Sequence, residues 1–226
     1  MAVSLRAQTP QELAQRYNLQ GMEAYRHLDW KTAENAFREA LKEDRDNKLV
    51  NYNLACVLSL RLSGDRRSWF DKIGSSQDPC DQLARAIQAD PEAAQKAAHD
   101  PDFANIRLTP RFQMLIGGDL RDTRLVELIL LAQGEWYGGQ CGLWCSNDLI
   151  FLENGEVTKR VFTEKPEGHG YFTDVHGRYQ IDNGVITIRY DSGESIHGGF
   201  LTEGPQMGVL RFGLENGYFV YPTGDF

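Results

Sequence analysis

Four cysteines and five histidines are the residues of this 226-residue chain best suited to hold a metal ion. Cys141 and Cys145 share the second half with His169, His176 and His197, and zinc takes both ligand types. The C-x3-C spacing is not that of a zinc knuckle. On one continuous strand the two sulfurs would stand roughly 13 Å apart, too far for one ion unless the chain turns at Gly142. The histidines fall in glycine-rich turns, where solvated polar side chains are common. The sequence therefore calls for no metal and no cofactor. Glu153, Asp174, Asp182 and Asp191 are scattered over turns, whose geometry aspartate favours. Phosphate-loop, dinucleotide, nucleophile-elbow and zinc-protease motifs are absent. No catalytic residue is assigned, and nothing points to an enzyme.

Aromatic side chains are the other chemical resource. Trp136, Trp144, Tyr179, Tyr190 and Phe212 offer a lining for a small hydrophobic ligand. On alternating strand positions the same residues serve more often as core.

Composition divides the chain. Of 22 glycines, 17 lie at or after Gly134, as do 15 of 24 aromatics. Residues 1–118 carry 16 basic and 16 acidic side chains, and residues 119–226 carry 8 and 16. The whole net charge of −8 thus belongs to the second half, which predicts two domains. An acidic balance argues against nucleic acid and against an anionic membrane surface. No run of 18 apolar residues is present, so no membrane span is expected. The first residues lack the apolar core of a signal peptide. Four cysteines are few for a disulfide scaffold, and a cytoplasmic location is the expectation.

The elements that must position any site follow from period and caps. Thr9-Pro10-Gln11-Glu12 reads as a capping box that opens a helix to about His27. Asp29 caps a second helix to about Glu43, with Ala33, Phe37, Ala40 and Leu41 inward. A third, about Lys48–Ser63, turns Leu54, Ala55, Leu58 and Leu62 inward. Tyr17–Asp46, with Gly21, Ala33, Phe37, Ala40 and Leu41 at fixed offsets, resembles a tetratricopeptide repeat (TPR), and Asn51–Cys56 resembles the first helix of the next. Its second helix, Pro79–Ala89, arrives about 12 residues late, which places an insertion near 65–78 that carries Trp69 and Phe70. Three X-Pro starts follow, at Pro91, Pro101 and Pro110. There Phe103, Ile106, Leu108, Phe112 and Leu115 resemble the closing cap of such arrays. Residues 119–133 read as a linking helix, apolar on more than one face.

The resemblance implies a concave groove lined by Asn18, Met22, Tyr25 and Arg26 from one helix and Leu49, Tyr52, Asn53 and Ser59 from another. Chaperone-binding members carry a carboxylate clamp there. This chain keeps Asn53 at one clamp position, but Asn18 stands where the clamp needs Lys and Met22 where it needs Asn.

From Gly134 the period changes to 2. Asn154-Gly155, Asn183-Gly184, Ser192-Gly193 and Asn216-Gly217 punctuate about eight strands, which predicts an antiparallel meander able to close into a barrel. Gly134-Glu135-Trp136-Tyr137 resembles the G-x-W opening of lipocalin-like barrels, where the Trp plugs one end.

The expected architecture is α+β with two domains: a TPR-like α-solenoid at 1–118, a linking helix at 119–133, and an up-and-down β-barrel or meander at 134–226. The function it implies is an adaptor whose groove, with Trp69 and Phe70, binds a protein or peptide. The alternative is a small hydrophobic ligand held by the barrel. The oligomeric state is left open.

Overall fold

The computed structural model describes residues 8–62, 78–138, 147–164, 170–204, 207–213 and 216–220. The insertion residues 65–77, with Trp69 and Phe70, lie outside the described residues, as do Cys141, Trp144, Cys145 and His169. The chain is helical in its first half and an antiparallel sheet in its second. It forms two compact units, one ending at Ile106 and one beginning at Arg107.

In the first unit, α1 (Pro10–Arg26) opens with the capping box: Glu12 N donates to Thr9 Oγ1 at 3.2 Å and Thr9 N to Glu12 Oε2 at 2.8 Å. Asp29 caps α2 (Trp30–Glu43), Asn47 caps α3 (Lys48–Arg61) and Asp78 caps α4 (Pro79–Ala89) through side-chain oxygens. Each such oxygen receives a backbone donor that the helix cannot use. α5 spans Glu92–His99, and a single 3-10 turn spans Pro101–Phe103. Asp100-Pro101 thus opens three residues rather than a helix.

Ala24, Ala33, Phe37, Ala40, Val50, Leu54, Val57 and Leu58 form the core of the first three helices, with Tyr17, Met22, Tyr25, Trp30 and Leu41 packed against it. α3 is buried far beyond its expected apolar stripe. Asn51, Tyr52, Cys56 and Ser59 are buried too, because α2 packs on one side and α4 on another. The small residue at Gly21 is required by Phe37: a Cβ there would stand 2.4 Å from the Phe37 ring.

The second unit begins with α6 (Pro110–Leu115), capped by Thr109, and α7 (Thr123–Gln133), capped by Asp122. Gln113 Nε2 donates to Arg107 O and Gln133 Nε2 to Leu108 O, both at 2.6 Å. The second of these bonds ties the 107–118 segment to α7. The apolar run expected to form one cap is therefore divided, with Phe103 and Ile106 in the first unit and Leu108, Phe112 and Leu115 in the second. α7 buries Val126, Ile129 and Leu130 but leaves Leu128 46% exposed, so it is not covered all round.

The strands are β1 (Glu135–Gly138), β2 (Asn147–Phe151), β3 (Glu156–Glu164), β4 (Gly170–Asp182), β5 (Val185–Tyr190), β6 (Ser195–Phe200), β7 (Leu210–Phe212) and β8 (Asn216–Val220). Each pairs antiparallel with the next, and β8 returns to β1 in the register Tyr137↔Phe219, which closes the curled sheet. Asn183 and Gly184 both take positive φ, 47° and 81°, the geometry of the tight hairpin turn that Asn-Gly favours. Asn216-Gly217 is not a turn. Asn216 faces Phe212 across the β7–β8 ladder, so the chain reverses before it. β4 runs unbroken through Gly177, where a Cβ would meet Arg189 O at 2.6 Å.

Gly21→Ala is expected to lose about 1–3 kcal/mol of stability to overpacking, despite the higher helix propensity of alanine. Phe37→Leu in the same chain should recover part of it. Denaturant midpoints test this, and an unchanged midpoint for Gly21→Ala would refute the close approach.

Candidate functional site

The residues expected to line a groove converge on α1 and α3, but most already have partners in the chain. Asn53 Nδ2 donates to Asn18 Oδ1 at 3.1 Å, one helix to the other. The Tyr25 hydroxyl donates to Asp102 Oδ2 at 2.7 Å and the Tyr52 hydroxyl to Asp100 Oδ2 at 2.8 Å. Both carboxylates come from the turn after α5, where Asp100 Oδ1 also receives Asp102 N at 3.1 Å. Phe103 packs edge-on against Tyr52 with ring centroids 5.6 Å apart. Met22 packs against the core. Arg26 is exposed and pairs with Glu23. Ser59 is fully buried, so it faces no groove. The chain's own Asp-Pro-Asp-Phe turn thus holds the tyrosines that the sequence assigns to a partner.

Cys56 completes this cluster. Its sulfur and one oxygen each of Asp100 and Asp102 lie within 4.8 Å of one another. Among the described residues, these three could approach one metal ion. Burial pushes the Cys56 thiol up, and the two carboxylates push it further. Burial, followed by the bonded aspartate, likewise raises the Tyr25 and Tyr52 hydroxyls. All three groups therefore stay protonated and donate hydrogen bonds, which suits a structural lock better than nucleophilic chemistry.

Beside the lock an open cleft of about 480 Å³ lies between α3, α4 and α5. Leu49, Tyr52, Ala86 and Ala93 supply its apolar surface, and Lys48, Asp90, Lys96 and His99 stand among its polar residues. Leu49 is 51% exposed. Lys48 Nζ pairs with Asp90 at 2.8 Å. Lys96 Nζ lies 3.9 Å from the centre of the Tyr52 ring, a cation–π contact. Lys96 and His99 form no ion pair among the described residues. Neither was singled out in the sequence.

In the second unit the four expected ligand residues that are described belong to the core. Trp136, Tyr179, Tyr190 and Phe212 are buried and share the inward register with Leu149, Ile188 and Leu210. Trp136 Nε1 donates to Leu130 O at 3.1 Å, and its ring packs on Phe200. The Tyr179 hydroxyl donates to Leu152 O at 3.0 Å. A cleft of about 740 Å³ in this unit is lined by Asp119–Arg121, the Asn183–Val185 turn and β6, and by none of these four aromatics. Among the described residues no helix is long and apolar enough to cross a membrane.

Asp148 was not singled out in the sequence. It alternates with inward Leu149 on β2 and is nevertheless buried. Burial, and then the charge of Glu135, push its carboxyl up to about 7, against the opposing pull of Arg160. Arg160 itself pairs with Glu135 and Asp174.

Compared with known proteins, the chain matches no protein-family model, no curated protein and no solved structure.

Two measurements follow from this chemistry. Tyr52→Phe should cost about 1–3 kcal/mol, because it strips a donor from a partly buried carboxylate. A double-mutant cycle with Asp100→Ala should show coupling, whereas strictly additive losses would remove the bond from the account. For Asp148, the folded carboxyl holds its proton up to about 7 while an ordinary one releases it near 3.8. Its contribution is complete at low pH and is lost as pH rises through that window, by up to about 4 kcal/mol. Asp148→Asn should flatten this slope and be the more stable protein at pH 8, as read by thermal melts across pH.

Proposed function

We propose that the helical unit is a TPR-like interaction module that takes a short segment of a partner protein into the α3–α4–α5 cleft. The observation that carries this reading is the exposed Leu49 beside a buried aromatic in a cleft of about 480 Å³, with Lys96 and His99 at its edge and Asp90 and Glu92 also in its lining. An apolar surface edged by charge suits one anchoring side chain with a neighbouring acidic residue. Lys96 and His99 would face that acid, and the Lys48–Asp90 pair would border the other side. Leu49 and Tyr52 are the two groove residues of the sequence reading that line this cleft. Tyr25, Asn18 and Asn53 act behind it, by holding α1, α3 and the 100–103 turn together.

The test is selection of displayed peptides on the full chain. Selected peptides should share an aliphatic or aromatic residue next to Asp or Glu. Their affinity should fall about tenfold or more on Leu49→Asp and on Lys96→Glu, with thermal melts unchanged. Peptides that bind both variants like the parent would place the site elsewhere.

A further inference from the structure

A second cleft in the helical unit has a different chemistry. It measures about 350 Å³ and is lined by Arg38, Leu41, Lys42, Arg45, Asn51, Leu54, Gln82 and Arg85. Four of these eight residues are cations and none is a carboxylate. Asn51 and Leu54 lie on roughly the opposite side of α3 from Leu49, because positions two and five residues further on turn about 200° and 140° from it, and the two clefts share no lining residue. The two clefts are therefore separate.

Nearby carboxylates cover only part of this charge. Arg38 pairs with Glu34 at 2.8 Å, and Glu34 also receives Arg61, so one carboxylate serves two guanidiniums. Lys42 pairs with Glu39. Arg45 and Arg85, both exposed, form no ion pair among the described residues. Burial lowers the Arg38 guanidinium, because it takes the cation out of water.

Polar groups in the wall point to more than a bare counterion. Asn51 is fully buried, and its Nδ2 donates to Arg45 O and Asn47 O. Its Oδ1 has no hydrogen-bond partner, which is costly for a buried acceptor. Gln82, also buried, stands in the same wall. A ligand hydroxyl would meet the Gln82 amide, and a phosphate would meet the cations. A phosphomonoester carries about −1.5 to −2 at neutral pH, which balances the charge of Arg45 and Arg85. Guanidinium groups match its oxygens two at a time.

We propose that the α2–α3–α4 cleft binds a small hydroxylated phosphomonoester, with Arg38, Lys42, Arg45 and Arg85 around the phosphate and Gln82 taking its hydroxyls. The site is independent of the peptide cleft, and either can stand without the other.

Calorimetric titration of the full chain at about 0.02 M ionic strength, where screening is weak, tests it with glycerol 3-phosphate and inorganic phosphate. Glycerol 3-phosphate should bind, and more tightly than inorganic phosphate, which lacks the carbon-bound hydroxyls. Arg45→Gln and Arg85→Gln should each weaken it about tenfold or more, and Arg85→Lys should lose less than Arg85→Gln. Lys96→Gln, in the other cleft, should leave it unchanged. Both arginines are exposed, so the variants should fold, and their thermal melts check this. Absence of binding, equal loss on Lys96→Gln, or indifference to the arginine variants would each overturn the proposal.

Discussion

A phenol hydroxyl taken from water without a partner costs about 1–3 kcal/mol, and α3 buries Tyr52 almost completely. Asp100 meets that demand from the turn after α5, and Asp102 does the same for Tyr25 on α1. Three separated stretches of chain are thereby fixed to one another. Phe103 enters with the turn and packs against the ring whose hydroxyl the turn receives. Polar satisfaction and apolar packing thus act at the same place. The edge of the open cleft follows from this lock, since Tyr52 belongs both to the lock and to the cleft wall.

The burial of α3 on nearly every side has a second consequence. A helix with only a stripe inward can keep its polar residues in water. One packed on two sides cannot, so Asn51, Cys56 and Ser59 are drawn in with the leucines. Asn51 answers by donating to the backbone ahead of its own helix. Cys56 becomes a protonated thiol against two carboxylates rather than a reactive one. The cations of α2 and α4 then collect around the polar side of the helix, while its apolar side opens on Leu49.

The sheet obeys a simpler rule. Alternation sends Trp136, Leu149, Tyr179, Ile188 and Phe212 inward, where they are buried in the core. Trp136 is held at one end by a backbone carbonyl of α7. Asp148 is the exception, a carboxyl on the other side of its strand that is still removed from water. Its proton is retained for that reason.

Much of the architecture is written locally. The caps at Thr9, Asp29, Asn47, Asp78 and Asp122 act within three residues, and helical period selects Ala33, Phe37, Ala40 and Leu54 for the core. Period 2 and the Asn183-Gly184 turn specify the meander. Gly21 against Phe37 is legible as a small residue matched to a large one. The sites are not local. Tyr25 meets Asp102 across 77 residues and Tyr52 meets Asp100 across 48, and no periodicity links such pairs. The tyrosines therefore read as free groove residues in the sequence and as partners of the chain's own turn in the fold. Nor does spacing bring Arg38, Lys42, Arg45 and Arg85 round one cleft, since charged residues on separate helices share no pattern until packing sets the helices side by side. Sequence alone determined which segments are helix or strand and which faces are apolar, because those depend on neighbours a few residues away. Only the tertiary structure decided which polar groups meet, because burial forces each to find a partner wherever the packed chain supplies one.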